Sequence, residues 1–152
     1  MATNTLLQYL QADDGSGVAL GVTPSNRRQV ERFIASSAIS AGDIVALDIS
    51  KTADGDKSLF VVQADTGDGL TTLTIGVALE DAAANEDLNV VIRGFVKDAN
   101  VATGGAIGDR IVGSNTAGRA TQYAASSSQA ILGYQLAVAS GNKADVFVIK
   151  QF

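Results

Sequence analysis

The chain contains no cysteine and no histidine. Without cysteine there is no disulfide framework and no thiolate metal site. Without histidine it lacks the usual general base, the commonest zinc ligand and the side chain that changes charge near neutral pH. A Ser-His-Asp or Cys-His nucleophile system is therefore excluded. Tryptophan is absent, and proline occurs once, at Pro24. Aromatic rings are few, eight in 152 residues, whereas alanine occurs 24 times. That composition predicts a thin core of Val, Ile and Leu with the five Phe. No apolar run approaches the roughly 20 residues that cross a bilayer, so no membrane partner is expected. The opening Met1-Ala2-Thr3-Asn4-Thr5 lacks the basic stretch of a secretory signal, which predicts synthesis and use in a cytoplasm.

The length suits one domain, and a chain of this size buries about 68–70% of its unfolded surface on folding. The net charge is −5. An acidic balance argues against nucleic acid as a partner, because phosphate neutralisation needs an excess of Lys and Arg. Arg27, Arg28 and Arg32 are a local exception. They read either as a solvated strand face or as a contact with an acidic partner, which the planar guanidinium fork suits.

Residues 1–26 differ in character from the rest of the chain. They are polar, with Asp13-Asp14-Gly15-Ser16-Gly17 at the centre and a short apolar cluster, Leu6, Leu7, Tyr9 and Leu10. This composition predicts an N-terminal arm that a partner orders, the alternative being a first edge strand. Its apolar cluster and the three arginines are the candidate contact residues.

Residues 27–152 read as a single β domain. Leu73, Ile75, Val77 and Leu79 alternate with Thr72, Thr74, Gly76 and Ala78, a period of two that predicts a strand with one buried face. Val90–Val96 and Val146–Ile149 alternate likewise. Shorter β runs occur at Val30–Ala35, Gly42–Leu47, Leu59–Gln63 and Arg110–Val112. Between them lie Asp54-Gly55-Asp56, Asp65-Thr66-Gly67-Asp68-Gly69 and Gly104-Gly105, which predict hairpin turns. Many short strands at this spacing predict an all-β sandwich or barrel.

The chain also repeats itself. Residues 76–95, GVALEDAAANEDLNVVIRGF, align without a gap to residues 133–152, GYQLAVASGNKADVFVIKQF. Ala78–Leu88 has helical propensity, but the second copy places Val138 and Gly141 there, and glycine is poor inside a helix. The repeat predicts a strand, a compact turn at Asn85 or Asn142, and a return strand. Ala41-Gly42-Asp43 precedes the first copy and Ile107-Gly108-Asp109 the second. Two similar β units, about 28–96 and 97–152, should therefore pack together as a closed barrel or sandwich.

No constellation carries chemistry. Asp13/Asp14, Asp54/Asp56 and Asp65/Asp68 flank glycines but lack the spacing of a calcium loop. A carboxylate pair for glycoside cleavage would want an aromatic-lined cleft, and the rings are too few. Gly104–Asp109 is not followed by Lys-Ser/Thr, so it is no phosphate loop. Ser126-Ser127-Ser128 has no base beside it. No catalytic, cofactor or metal residue is assigned, and the expectation is a protein that is not an enzyme.

In order and spacing, several pieces resemble the capsid cement, or head decoration, proteins of bacteriophages. They are Ala41-Gly42-Asp43-Ile44-Val45, Ile75-Gly76-Val77-Ala78-Leu79, Ala82-Ala83-Ala84, Val90-Val91-Ile92-Arg93-Gly94-Phe95, Ile107-Gly108-Asp109, Ile131-Leu132-Gly133-Tyr134 and Val146-Phe147-Val148-Ile149. The resemblance covers about residues 30–152. Asp48–Leu70 departs from it by its length and reads as an extra hairpin. The resemblance implies a β-barrel or β-tulip, often a homotrimer, on the outer capsid surface of the virion, made in the host cytoplasm. Its partners would be itself and the major capsid protein, and its arm would lie along the capsid or join a neighbour's sheet. Other phage structural β proteins, of the tail tube or head completion, are the alternative. A carbohydrate-binding module would need an exposed aromatic platform.

Overall fold

The computed structural model describes residues 28–65, 67, 73–125 and 130–149. The proposed arm, with Leu6, Leu7, Tyr9 and Leu10, lies outside the described residues, as do Arg27 and the Ser126–Ser128 loop. The described residues form β1 (Gln29–Ala35), β2 (Ile44–Leu47), α1 (Asp54–Leu59), β3 (Phe60–Gln63), β4 (Thr74–Ala78), β5 (Asp87–Asn100), β6 (Arg110–Gly113), β7 (Ala120–Gln122), β8 (Gly133–Gln135) and β9 (Lys143–Val148). The fold is all-β, as the alternating pattern predicts.

The strands run in the order β1-β3-β2-β4-β5-β9-β8-β6-β7, and β1 also pairs with β5. The first five strands in that order therefore close into a barrel: β1 lies parallel to β3 on one side and antiparallel to β5 on the other. Its interior holds Ala35, Val45, Val61, Ile75, Ala78, Leu88, Val90 and Ile92. Five strands leave room for branched aliphatic side chains and little more.

The remaining strands repeat the arrangement. β6 pairs with β7 and β8, and β8 with β9, as β2 pairs with β3 and β4, and β4 with β5. The correspondence extends to single hydrogen bonds. Gly42 N donates to Ala78 O and Gly108 N to Gln135 O, both at 2.8 Å. Ser40 N donates to the Asp43 carboxylate and Ala106 N to that of Asp109. Strand β5 serves both units. Its first half pairs with β1 and β4, its second half pairs with β9, and Val101, just beyond its end, bridges in parallel to Ala120 of β7. Asp98, at φ 55°, marks a bulge in the β5–β9 pairing.

Three details differ from the sequence reading. Ile75 does not share a face with Val77. A bulge between Val45 and Ala46 turns Ile75 into the barrel with Val45, while Val77 joins Ile44 and Val91 in a second cluster. The return strands align one residue out of the gapless register: Val77 pairs with Val91, but Tyr134 pairs with Phe147. The cause is the turn. Gly141 and Asn142 both have positive φ (57° and 61°) inside a Ser140–Lys143 bridge, whereas the first unit turns through Ala83–Glu86 with Asn85 at 66°. Third, Asp54-Gly55-Asp56 opens the six-residue helix α1, with both acids in its first turn, where the helix dipole favours them. Strand β3, instead of forming a separate hairpin, completes the barrel wall.

Among the described residues the rings are not in the core either. Phe33, Phe60 and Phe95 are half-buried, Phe147 is exposed, and the fully buried residues are Val, Ile, Leu, Ala and Gln135. A barrel this narrow fills with small side chains and leaves aromatic ones on its outside.

Candidate functional site

Of the arginines singled out by the sequence, Arg28 is half-buried just ahead of β1, and Arg32 is exposed on β1. The Arg32 guanidinium bonds to the Asp87 carboxylate on β5. An exposed pair of this kind contributes at most about 1 kcal/mol. It also commits the guanidinium to a carboxylate of its own chain.

Two of the described carboxylates are buried. Asp43, 4% exposed, accepts from Ser40 N, from Gln63 Nε2 at 2.6 Å and from Asn100 Nδ2 at 3.2 Å. Arg119 Nε donates in turn to Asn100 Oδ1. The network joins the first unit, through Asp43 and Gln63, to the second, through Asn100 and Arg119. Asp48 accepts from the hydroxyls of Ser36 and Ser50 and from Ser50 N. Burial pushes its carboxyl up, but those hydrogen bonds and the nearby Lys51 ammonium outweigh it and hold it below its ordinary value. Asp48 also borders an open groove of about 650 Å³ with Ile49, Ser50, Gln63 and Asp65. Its oxygens face the protein's own hydroxyls, so it is a fastener of the loop after β2. Among the described residues no three of His, Cys, Asp and Glu are placed to hold a metal ion.

The second unit carries a buried polar residue of its own. Gln135, fully buried, occupies the position that Ala78 holds in the first barrel. Its Nε2 donates to the carbonyls of Gly104 and Ala137, and its Oε1 accepts from Gln122 Nε2. All its main capacities are met within the chain, so it ties loops together and leaves nothing for a ligand.

The surface feature that sequence reasoning missed lies outside the second unit. Strand register sets Phe95 opposite Phe147, Phe147 opposite Tyr134, and Tyr134 opposite Arg110. Tyr123 N donates to Arg110 O, and the Arg110 guanidinium lies 4.8 Å from the centre of the Tyr123 ring. Directly opposed residues point to the same side of a sheet, so these five form one outward row across β5, β9, β8, β6 and the residue that follows β7. Tyr134 and Phe147 are about two-fifths exposed, and Leu136, Val138 and Ile107 extend the apolar area. The signal was available in the repeat, where Tyr134 stands against Val77. Phe147 was hidden by the one-residue slip.

No protein-family model matches the chain, and no curated protein matches it. Among solved structures, the fold is similar to that of the N base of head fiber gp8.5 in bacteriophage phi29. The two are 16% identical, with a TM-score of 0.55 over 80% of this chain and 94% of that one.

Proposed function

We propose that this protein is a structural component of a phage virion that binds the outside of the expanded head and stabilises it by bridging major capsid subunits, as a homotrimer. The observation that carries this reading is the fold shared with a phage head fiber base, reached from a sequence whose motif order resembles head decoration proteins. The mechanism is linkage. A ligand that binds the expanded shell and not its disassembled form stabilises the shell by mass action, and many copies clamped across subunit joints act together. An arm that adds a strand to a neighbouring sheet would contribute main-chain hydrogen bonds with little demand on sequence. We assign the chain no catalytic role and no cofactor, since it has neither His nor Cys.

The test is co-sedimentation of purified protein with expanded heads and with procapsids, followed by heating of the decorated particles. Binding confined to expanded heads, with a higher disruption temperature, supports the reading. Absence from the virion together with no binding to expanded heads overturns it. The similarity to a fiber base favours a second reading, in which the same attachment anchors a projecting fiber. Electron microscopy separates the two, since one gives compact knobs and the other filaments.

A further inference from the structure

The two units are alike, yet their outer faces are treated differently. In the first unit the row corresponding to Phe147, Tyr134, Arg110 and Tyr123 is Val91, Val77, Ile44 and Ala64. All four are 0% exposed. They are covered by the second unit and share one apolar cluster with Val96, Ala99 and Leu132. The covering element is the turn between β6 and β7. Ile44 N donates to Gly118 O at 2.8 Å and Gly118 N to Ala64 O at 3.0 Å, so one residue of that turn spans the pair.

That turn also has a counterpart in the first unit, the loop between β2 and β3. Asp48 N donates to Phe60 O as Ser114 N donates to Arg119 O, both at 2.9 Å. Ser50 N bonds the Asp48 side chain as Thr116 N bonds that of Ser114, both at 3.0 Å. The β6–β7 turn covers a face. Its counterpart covers none: no residue of α1 is buried, and Ile49 and Leu59 are 53% and 49% exposed. Among the described residues, each chain therefore has one covering element with nothing beneath it and one coverable face with nothing above it.

We propose that the outer face of the second unit, at Arg110, Tyr123, Tyr134 and Phe147, docks a second copy of this chain through the Asp48–Leu59 loop of that copy. Ile49 and Leu59 would pack on the rings. Asp56 of the loop opposes the charge of Arg110 on the face, Asp54 being paired with Lys57 of its own helix. The rim fits the same division of labour. Where the first unit has Ala41, Leu79 and Asp81, with Asp81 bonded to Ala41 N, the second has the exposed aliphatics Ile107, Leu136 and Val138. A flat sugar platform fits the face less well, because the Arg110 guanidinium already lies over the Tyr123 ring. The contact is heterologous, loop to face. It closes into a ring if the rotation per step divides a full turn, and otherwise extends as a filament.

Analytical ultracentrifugation tests it with two double variants of exposed residues, whose folding is checked by circular dichroism. Tyr134→Ser with Phe147→Ser removes the face, and Ile49→Ser with Leu59→Ser removes the loop. The wild type should sediment as an oligomer and each variant as a monomer. An equal mixture of the two variants should recover a dimer and nothing larger, since one intact face meets one intact loop. In a chain without cysteine, Leu59→Cys mixed with Tyr134→Cys should give a disulfide-linked heterodimer. A monomeric wild type overturns the proposal, as does an oligomer that survives either double variant. So does Tyr134→Cys cross-linking to itself, which would mean a face-to-face dimer. A monomer that loses binding to expanded heads on removal of the face assigns that face to the shell, and the proposal fails.

Discussion

Gly118 is the point at which the second unit grips the first, and substituting it by alanine tests the reasoning about how the two are joined. The residue has φ +69°, and a Cβ there would lie 2.8 Å from the Asp43 carboxyl carbon and 3.0 Å from Gln63 Nε2. Two costs combine. The left-handed conformation costs an L-residue about 1–2 kcal/mol. Forcing an extra carbon into a filled site costs about 1–3 kcal/mol more, because Asp43 and Gln63 are tied to each other and to Asn100 and cannot move separately. The unfolded chain returns up to about 1 kcal/mol by losing the freedom of a glycine. Gly141 is the control: φ is +57°, but nothing lies within 4 Å of its Cβ position. Gly141→Ala therefore carries the conformational cost alone, and the difference between the two variants isolates the collision. At about 2–4 °C per kcal/mol for a chain this long, Gly118→Ala should melt roughly 2–12 °C below Gly141→Ala in differential scanning calorimetry. Denaturant titration at fixed temperature should agree in sign. Equal melting points for the two variants would refute the packing argument.

The same geometry sets other outcomes. Gly76→Ala and Gly133→Ala should each lose about 1–3 kcal/mol or more in urea titration, since a Cβ at either would lie 2.2 or 2.1 Å from a carbonyl oxygen of the neighbouring strand; wild-type stability in either would contradict it. Asp43→Ala leaves the half-buried amides of Gln63 and Asn100 without their shared acceptor and should cost about 1–3 kcal/mol. Asp109→Ala, at the corresponding but half-buried position in the second unit, should cost about 1 kcal/mol or less. Asp48 is held below the ordinary carboxylate value, so its contribution is full above that value and is lost as pH falls through the lower folded one. The stability gap between wild type and Asp48→Asn should be level from neutrality to about pH 5 and shrink below about pH 4. A gap that widens on acidification would mean the sign is wrong.

Much of the fold was written locally. Alternation at Val90–Val96 and Val146–Ile149 marked the long strands because a strand buried on one side must repeat every second residue. The pairing of Gly42-Asp43 with Gly108-Asp109, and the asparagines at the two turns, exposed the repeat. Proline occurs once and cysteine not at all, so neither could mislead. The candidate site was less legible. Arg32 looked available for a partner, but Asp87 lies 55 positions away and only pairing of β1 with β5 brings them together. Phe147 looked like core as one of five phenylalanines, whereas on β9 it points to the side opposite the buried Val146 and Val148.

The sequence by itself determined most of the strands and the absence of histidine and thiol chemistry, since each rests on residue type and near-neighbour spacing. Tertiary structure alone decided which side of each strand is inside and how the register slips by one after Ser140. It also decided that equivalent faces have opposite fates. Ile44 and Arg110 occupy the same place in similar units, yet one is sealed beneath Gly118 and the other faces outward. That difference comes from which unit lies against which, and no local pattern of residues encodes it.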